Sequence, residues 1–455
     1  MNNKIPLFSL VLLIVAAIDS IRTLPVTAFF GSSLIFFYVL SALIFLIPVA
    51  LVSAEFSSRT SKEGGVFHWV REAFGDRLGV LAVWLQWINT MVWYPTMLLF
   101  IAGTATHLAF PQLAQHRSYL LGASLVIFWA LTLLNLKGIK VSVRMNSFCG
   151  LIGTLLPMAF LIALGVWWFF SSDTLPISFS WKEMIPSFNL FEGGGALVTV
   201  MASFLGMELA GVHVGDIENP QKNFPKAIGI SVMILLATLV LGSLAVAVVI
   251  PKGDINFVDG IMQTFTTFLE AFHMPYLVPV LALLIVIGST GGSINWLLSP
   301  AKGLLQVAEF GFLPSFFLVK NKNGVPTRIL IAQAILVSIF AFALQFAANV
   351  NAYYWFLMSL STALYMLMYI LLFLAALKLK RPNEGYQIPK GIRSLSCFAG
   401  MFACLLTIVI GFQPPADMAI GSSLKYVLMI AAGFGLMLFP ALLFWRYQKR
   451  REVNG

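Results

Sequence analysis

Asp19-Ser20-Ile21-Arg22-Thr23-Leu24-Pro25 interrupts an apolar run over residues 6–30, and Ser203-Phe204-Leu205-Gly206-Met207-Glu208-Leu209-Ala210-Gly211 interrupts a second over residues 195–216. Each run is long enough to cross a bilayer, which takes about 20 apolar residues. Each nevertheless holds an acid beside helix-breaking residues. In lipid every backbone amide must be satisfied, so non-helical backbone survives only where it faces protein or a watery cavity. Pro25 removes an amide donor and clashes with the turn before it. Asp19 lies about 13 residues into its run, roughly 20 Å at the helical rise. An acid at that depth costs roughly 2.5–3.5 kcal/mol on insertion scales, so its presence points to a role. The plainer alternative is that Pro and Gly only kink these helices, as they commonly do in membranes.

The rest of the chain is of the same kind. Hydrophobic residues make up 59% of the 455 and charged residues 10%, with a mean hydropathy of +0.91. A soluble domain carries roughly 25% charge, so most of this surface is expected to face lipid. Runs of membrane-crossing length fall at twelve places, near 6–30, 34–56, 78–106, 118–137, 145–170, 195–216, 226–250, 275–307, 326–347, 353–378, 396–412 and 422–445. The segment Asn256–Phe272 has helical apolar spacing at Phe257, Ile261, Phe265 and Phe268 but is too polar to cross, and is expected to lie at the outer interface. The first run continues past Pro25 with no small-residue cleavage site, so it is expected to be a membrane helix rather than a signal peptide.

The net charge of +10 is not a nucleic-acid footprint, because the basic residues sit in short alternate loops. Of the 28 Lys and Arg, 23 fall in loops on one side. The other side receives only Arg117, Lys182, Lys252 and Lys425, and Arg22 stays inside the membrane. The positive-inside rule then puts both termini in the cytoplasm of a bacterial inner membrane. Cys149, Cys397 and Cys404 lie in apolar runs with no metal or disulfide spacing, and are expected to be buried thiols.

Runs one and six head two halves of five, about 6–170 and 195–378, followed by two extra helices over 396–445. The chain is thus expected to be one transmembrane domain, residues 1–455, and all-α. Paired interruptions at corresponding positions of two halves mark the substrate site of a carrier. Half-helix N-termini offer free N–H groups to a carboxylate, while exposed carbonyls and acids suit an ammonium.

Several loops carry a family resemblance. Glu63-Gly64-Gly65-Val66-Phe67-His68-Trp69-Val70-Arg71-Glu72-Ala73-Phe74-Gly75 resembles the cytoplasmic loop of the amino acid–polyamine–organocation transporters. So do Asp216-Ile217-Glu218-Asn219-Pro220 with Phe224-Pro225-Lys226-Ala227-Ile228, and Ser299-Pro300-Ala301-Lys302-Gly303 with Gly311-Phe312-Leu313-Pro314. Val249-Ile250-Pro251, Gly260-Ile261-Met262-Gln263-Thr264-Phe265-Thr266 and Gly206-Met207-Glu208 are similar to the bacterial glutamate/γ-aminobutyrate antiporter branch. The resemblance implies a five-plus-five inverted-repeat fold with two trailing helices, and exchange or proton-linked transport of amino acids or amines by alternating access, without ATP. It places the substrate against the unwound part of run one (Ile18, Asp19, Ser20, Ile21, Arg22, Thr23), against Ser203, Phe204, Leu205, Gly206 and Glu208, and against Tyr365 and Tyr369 of run ten. Ser293, in a Ser289, Gly291, Gly292, Ser293 stretch, stands where a related arginine/agmatine exchanger has an aromatic gate.

Two readings of the acids follow. Asp19 and Arg22 are three apart and in an unbroken helix would neutralise each other; unwound, they suit a substrate ammonium and carboxylate. Glu208 suits an ammonium or a proton, or else ties run six to a neighbour. Glu55 is expected in a helix-terminal ion pair. His213 is a packing residue or a pH sensor, and His107, His116 and His273 are expected at the surface. Sodium coupling would draw on Ser289 and Thr290. No cofactor or nucleic-acid partner is expected, only an amino acid or amine, the bilayer, and a monomer or homodimer. The alternatives are a sodium- or gradient-driven permease for cationic amino acids or polyamines, and an amino-acid sensor. No nucleophile–base pair, His-Glu-x-x-His spacing or Walker loop suggests an enzyme, and no charged ring suggests a channel.

Overall fold

The computed structural model describes residues 5–59, 65–138, 148–185, 194–208, 217–382, 386–414 and 422–454. Among these residues there is no strand, only the isolated bridges Ile5–Ile217 and Lys320–Pro326. Nine helices among them are long and apolar enough to cross a bilayer. They are α3 (Gly31–Ser57), α6 (Arg117–Leu136), α7 (Phe148–Ser171), α9 (Pro220–Ala247), α11 (Val278–Glu309), α12 (Thr327–Phe342), α13 (Val350–Lys378), α14 (Lys390–Gly411) and α15 (Ser423–Asn454). A tenth long helix, α5 (Asp76–Thr106), occupies the expected run 78–106 but is more polar, with Gln86, Asn89, Thr90 and Thr96 along it. A short amphipathic helix, α4 (Val66–Phe74), precedes it and turns its apolar face inward.

The two remaining runs are in pieces. Run one is α1 (Leu7–Ile18), an extended Asp19–Ser20, a 3₁₀ turn Ile21–Thr23 and α2 (Leu24–Ala28). Pro25 does not cause the interruption. It sits in the first turn of α2, where the amide it lacks has no helical partner anyway. The break is two residues of β-region backbone, Asp19 at ψ 126° and Ser20 at φ −143° and ψ 111°. Run six is α8 (Gly195–Ser203), followed by a turn through Phe204–Gly206. Gly206 has φ +102°, a conformation that an L side chain resists. Residues 209–216, with His213 and Gly211, lie outside the described residues.

Two other helices bend without breaking. Each has a π turn, Ala42–Leu46 in α3 and Leu151–Leu155 in α7, followed within two residues by Pro48 or Pro157. A π turn absorbs the hydrogen bond that the following proline cannot make.

Helix α13 is the most enclosed of the spans, 78% of its apolar window being buried, against 22% for α15. It packs on α5 and α14, and α8 lies against α13, α14, α3 and α2. Helices α1 and α2 lie along α9, which also packs on α7. Small residues permit the tightest crossings: a Cβ on Gly288 of α11 would lie 2.2 Å from Gly153 Cα of α7. The segment expected at the interface forms α10 (Gly260–Ala271). Its expected apolar positions are buried, Phe265 on Phe160 and Phe268 on Trp168, with ring centroids 6.0 and 5.5 Å apart.

Candidate substrate site

Where α8 ends, the chain exposes amides and carbonyls that no helix satisfies, and α13 meets them. Tyr365 and Tyr369 are one turn apart on its face, with ring centroids 5.2 Å apart. The Tyr365 hydroxyl donates to Glu208 Oε1 and the Tyr369 hydroxyl to Oε2. Tyr369 also accepts the Gly206 N–H at 3.1 Å. Gln86 of α5 adds a third donor, its Nε2 lying 3.3 Å from Glu208 Oε1. The carboxylate, 1% exposed, is therefore held from two helices besides its own. Phe45 of α3 stands edge-on to Tyr369 at 5.0 Å and closes the cluster from the third side.

The break in run one faces other elements. Arg22 is buried, and its Nη1 donates to Thr96 Oγ1 of α5 at 2.6 Å, while its guanidinium lies 4.6 Å from the centre of the Trp93 ring. The Tyr354 hydroxyl of α13 sits beside the same guanidinium. Asp19 makes no ion pair with Arg22. Extended backbone at Asp19–Ser20 destroys the i, i+3 register on which such a pair depends. Asp19 is 5% exposed, and neither carboxylate oxygen makes a hydrogen bond. Thr23 folds back, its hydroxyl donating to the Ser20 carbonyl at 2.9 Å, and Ile18 and Ile21 are buried.

The two breaks are neighbours, since α2 contacts α8. Between them lies a hydroxyl cluster: Thr27 Oγ1 and Ser243 Oγ are 2.6 Å apart, and the Tyr38 hydroxyl is 3.5 Å from each. The Tyr38 ring packs against Phe204 at 5.7 Å. Ser203 bonds back to the Thr199 carbonyl, and Leu205 lies in the turn. Beyond the end of α2 a cavity of ≈ 260 Å³ is lined by Ala28, Phe30, Ser32, Glu183 and Lys252, among others.

Ser293 stands apart from the acids. Its hydroxyl donates to the Ser289 carbonyl at 2.5 Å and approaches Met97 Sδ at 3.1 Å, on the crossing of α11 with α5. Ser289 and Thr290 are half-buried on the same helix. Glu55 pairs with Arg393 of α14 at 2.8 Å and accepts the Ile388 N–H at 2.9 Å. His107 is not a surface residue: it is buried, with Nε2 3.4 Å from Asp259 Oδ2 at the start of α10.

Sequence reasoning did not find Gln86, Thr96, Tyr354 or Tyr38. Gln86 and Thr96 are polar residues in a membrane run, which is a signal. Asn89, Thr90, Thr104 and Thr106 are equally polar along the same helix, though, and nothing local separates them.

Comparison with known proteins agrees with this architecture. A profile of the amino acid permease family matches residues 5–434. An uncharacterized transporter of Legionella pneumophila is 39% identical over 451 residues, which is 98% of this chain and 96% of its own. A glutamate/γ-aminobutyrate antiporter of Lactococcus lactis subsp. lactis is 28% identical over 461 residues, covering 99% of this chain and 92% of its own. A probable agmatine/putrescine antiporter of the same bacterium is 23% identical over 416 residues, covering 90% and 86%. With a match over nearly its whole length and a wholly helical, apolar build, this chain belongs to the amino acid permease family of the amino acid–polyamine–organocation transporters.

Proposed function

We propose that this chain exchanges amino acids, or an amino acid and an amine, across a bacterial inner membrane by alternating access. Twelve crossings, grouped as inverted repeats over about 6–170 and 195–378 with two further helices, form its single domain. Both termini are cytoplasmic, as the loop charges favour. The observation that carries the reading is the pair of adjacent helix interruptions, Asp19–Ser20 and Phe204–Gly206, enclosed among the helices and flanked by polar groups. A bilayer tolerates open backbone only where it is buried in protein or lines a watery cavity, and paired breaks in two halves mark a carrier's site.

In this reading the substrate lies between Ile18–Thr23 and Ser203–Glu208. Arg22 and the free amides of the first break take its carboxylate. The carbonyls after Ser203 and the Glu208 side take its ammonium, and Tyr365 and Tyr369 hold the second break in shape. Ser293 acts from α11 as a lining residue. Exchange is favoured over net uptake because two of the relatives are named as antiporters.

The test is transport by purified protein in liposomes loaded with one amino acid, against a labelled panel of amino acids and amines outside. Uptake that requires internal substrate is expected. Net uptake driven by a sodium gradient would replace exchange with symport, and binding without flux would replace transport with sensing.

A further inference from the structure

The two buried carboxylates at the helix breaks are in opposite conditions. Glu208 is saturated: Tyr365, Tyr369 and Gln86 all donate to it, so an anion there is compensated. Asp19, as deeply buried, has no donor on either oxygen. The Thr238 hydroxyl of α9 and the Ser20 amide face it, but Thr238 Oγ1 is committed to the carbonyls of Ile234 and Leu235 at 2.9 and 3.2 Å. Arg22, the one cation on the same segment, is turned away to Thr96 and Trp93.

The elements packed on Asp19 supply no counter-charge. Residues 7–18 of its own helix contain no Asp, Glu, Lys, Arg or His, and neither do 227–247 of α9 or 148–171 of α7, where Cys149 is the one titratable group. From α3 the facing titratable group is Tyr38, whose charged form would repel that of Asp19. Asp19 also closes α1 at its C-terminus, where the helix macrodipole presents its negative end. Among the described residues no cation pairs with Asp19, so an ionised carboxylate there is poorly compensated, and the smallest cation that fits beside packed side chains is a proton.

We propose that Asp19 is a proton-carrying site, loaded and unloaded as the break in run one opens to either side, so that substrate exchange moves a proton with it. The inference rests on the carrier reading above and assigns Asp19 to the proton rather than to the substrate ammonium. In loading, a carboxylate oxygen takes a proton from water. In unloading, that O–H bond breaks and the proton returns to water on the other face. No other bond changes. Thr27 directly precedes Ala28 of the 260 Å³ cavity wall, and its hydroxyl, with those of Ser243 and Tyr38, offers a relay.

The test reads the proton directly. Infrared difference spectra of the reconstituted protein between acidic and alkaline buffer report a protonated carboxyl group whether or not any substrate is known. Among the bands of the other acids, one titrating carboxyl component is expected in the wild type, lost in Asp19→Asn and kept in Glu208→Gln. With L-glutamate inside and labelled γ-aminobutyrate, or any pair found to exchange, the protons moved per substrate exchanged, read with a trapped pH dye, should fall to near zero in Asp19→Asn at whatever rate that variant exchanges. A difference spectrum that Asp19→Asn leaves unchanged overturns the proposal. So does an Asp19→Asn protein that keeps the band-independent proton signal, or one that loses binding of amines and amino acids alike, which would return Asp19 to the substrate ammonium. Failure of the wild type to exchange any substrate would sink the carrier reading and leave the infrared result standing on its own.

Discussion

The Tyr369 hydroxyl accepts the main-chain N–H of Gly206 at 3.1 Å, so a side chain of one membrane helix finishes the backbone hydrogen bonding of another where that helix stops. The same hydroxyl donates to Glu208 Oε2, and Tyr365 donates to Oε1, which Gln86 also approaches. The two tyrosines are alike in sequence position on their helix but unequal in what depends on them.

Removing Tyr369 should therefore cost more than removing Tyr365. Tyr369→Phe strands both a buried amide and a carboxylate oxygen, each worth about 1–3 kcal/mol when unsatisfied. Tyr365→Phe leaves Oε1 with Gln86. Thermal unfolding in detergent should show the larger loss for Tyr369→Phe, and equal losses would show that Gln86 gives no compensation.

The crossing of α7 with α11 depends on Gly153 and Gly288, whose backbones leave no room for a Cβ. Gly288→Ala is expected to destabilise by about 1–3 kcal/mol through overpacking. Gly122, on the exposed face of α6 with nothing within 4 Å, is the control. Gly122→Ala should be neutral or slightly stabilising, since alanine favours helix. Matching melting temperatures for the two variants would contradict the close approach.

Glu55 is 2% exposed and holds Arg393 at 2.8 Å. Arg393→Met leaves a buried carboxylate unpaired and should cost about 3–5 kcal/mol. Combining it with Glu55→Gln should recover most of that loss, because the stranded charge is gone. A double-mutant cycle checks this, and simple additivity of the two losses would remove the pair from the stability of the α3–α14 contact.

Under the proposed carrier function, Arg22→Gln should raise KM for an amino acid about tenfold, in line with roughly 1.4 kcal/mol per decade. It should leave KM for the corresponding decarboxylated amine nearly unchanged, because only the carboxylate uses the guanidinium. Equal effects on both would show that Arg22 acts on the fold, through Thr96 and Trp93, rather than on the substrate.

Much of this was readable from residue order because lipid imposes a local rule. Twenty apolar residues must be a helix, and an acid with Gly or Pro inside them must be an exception. That rule located both interruptions, and helical periodicity put Tyr365 and Tyr369 on one face. Where the rule was applied too finely it misplaced the cause: Pro25 begins α2, and the break lies at Asp19–Ser20. His107 was misread for a similar reason. Its place at the end of a run suggested a surface residue, whereas Asp259, some 150 positions later, covers it.

The sequence by itself determined the helical, apolar build and which two runs are interrupted, since these follow from local hydropathy and backbone chemistry, and its loop motifs carried the family resemblance. Only the tertiary structure decided which acid is saturated and which is not. Tyr365, Tyr369 and Gln86 reach Glu208 from helices distant in the chain, while an extended pair of residues turns Arg22 away from Asp19. Partners for a buried charge are chosen by packing in three dimensions, and spacing along the chain carries that information only while the helix remains unbroken.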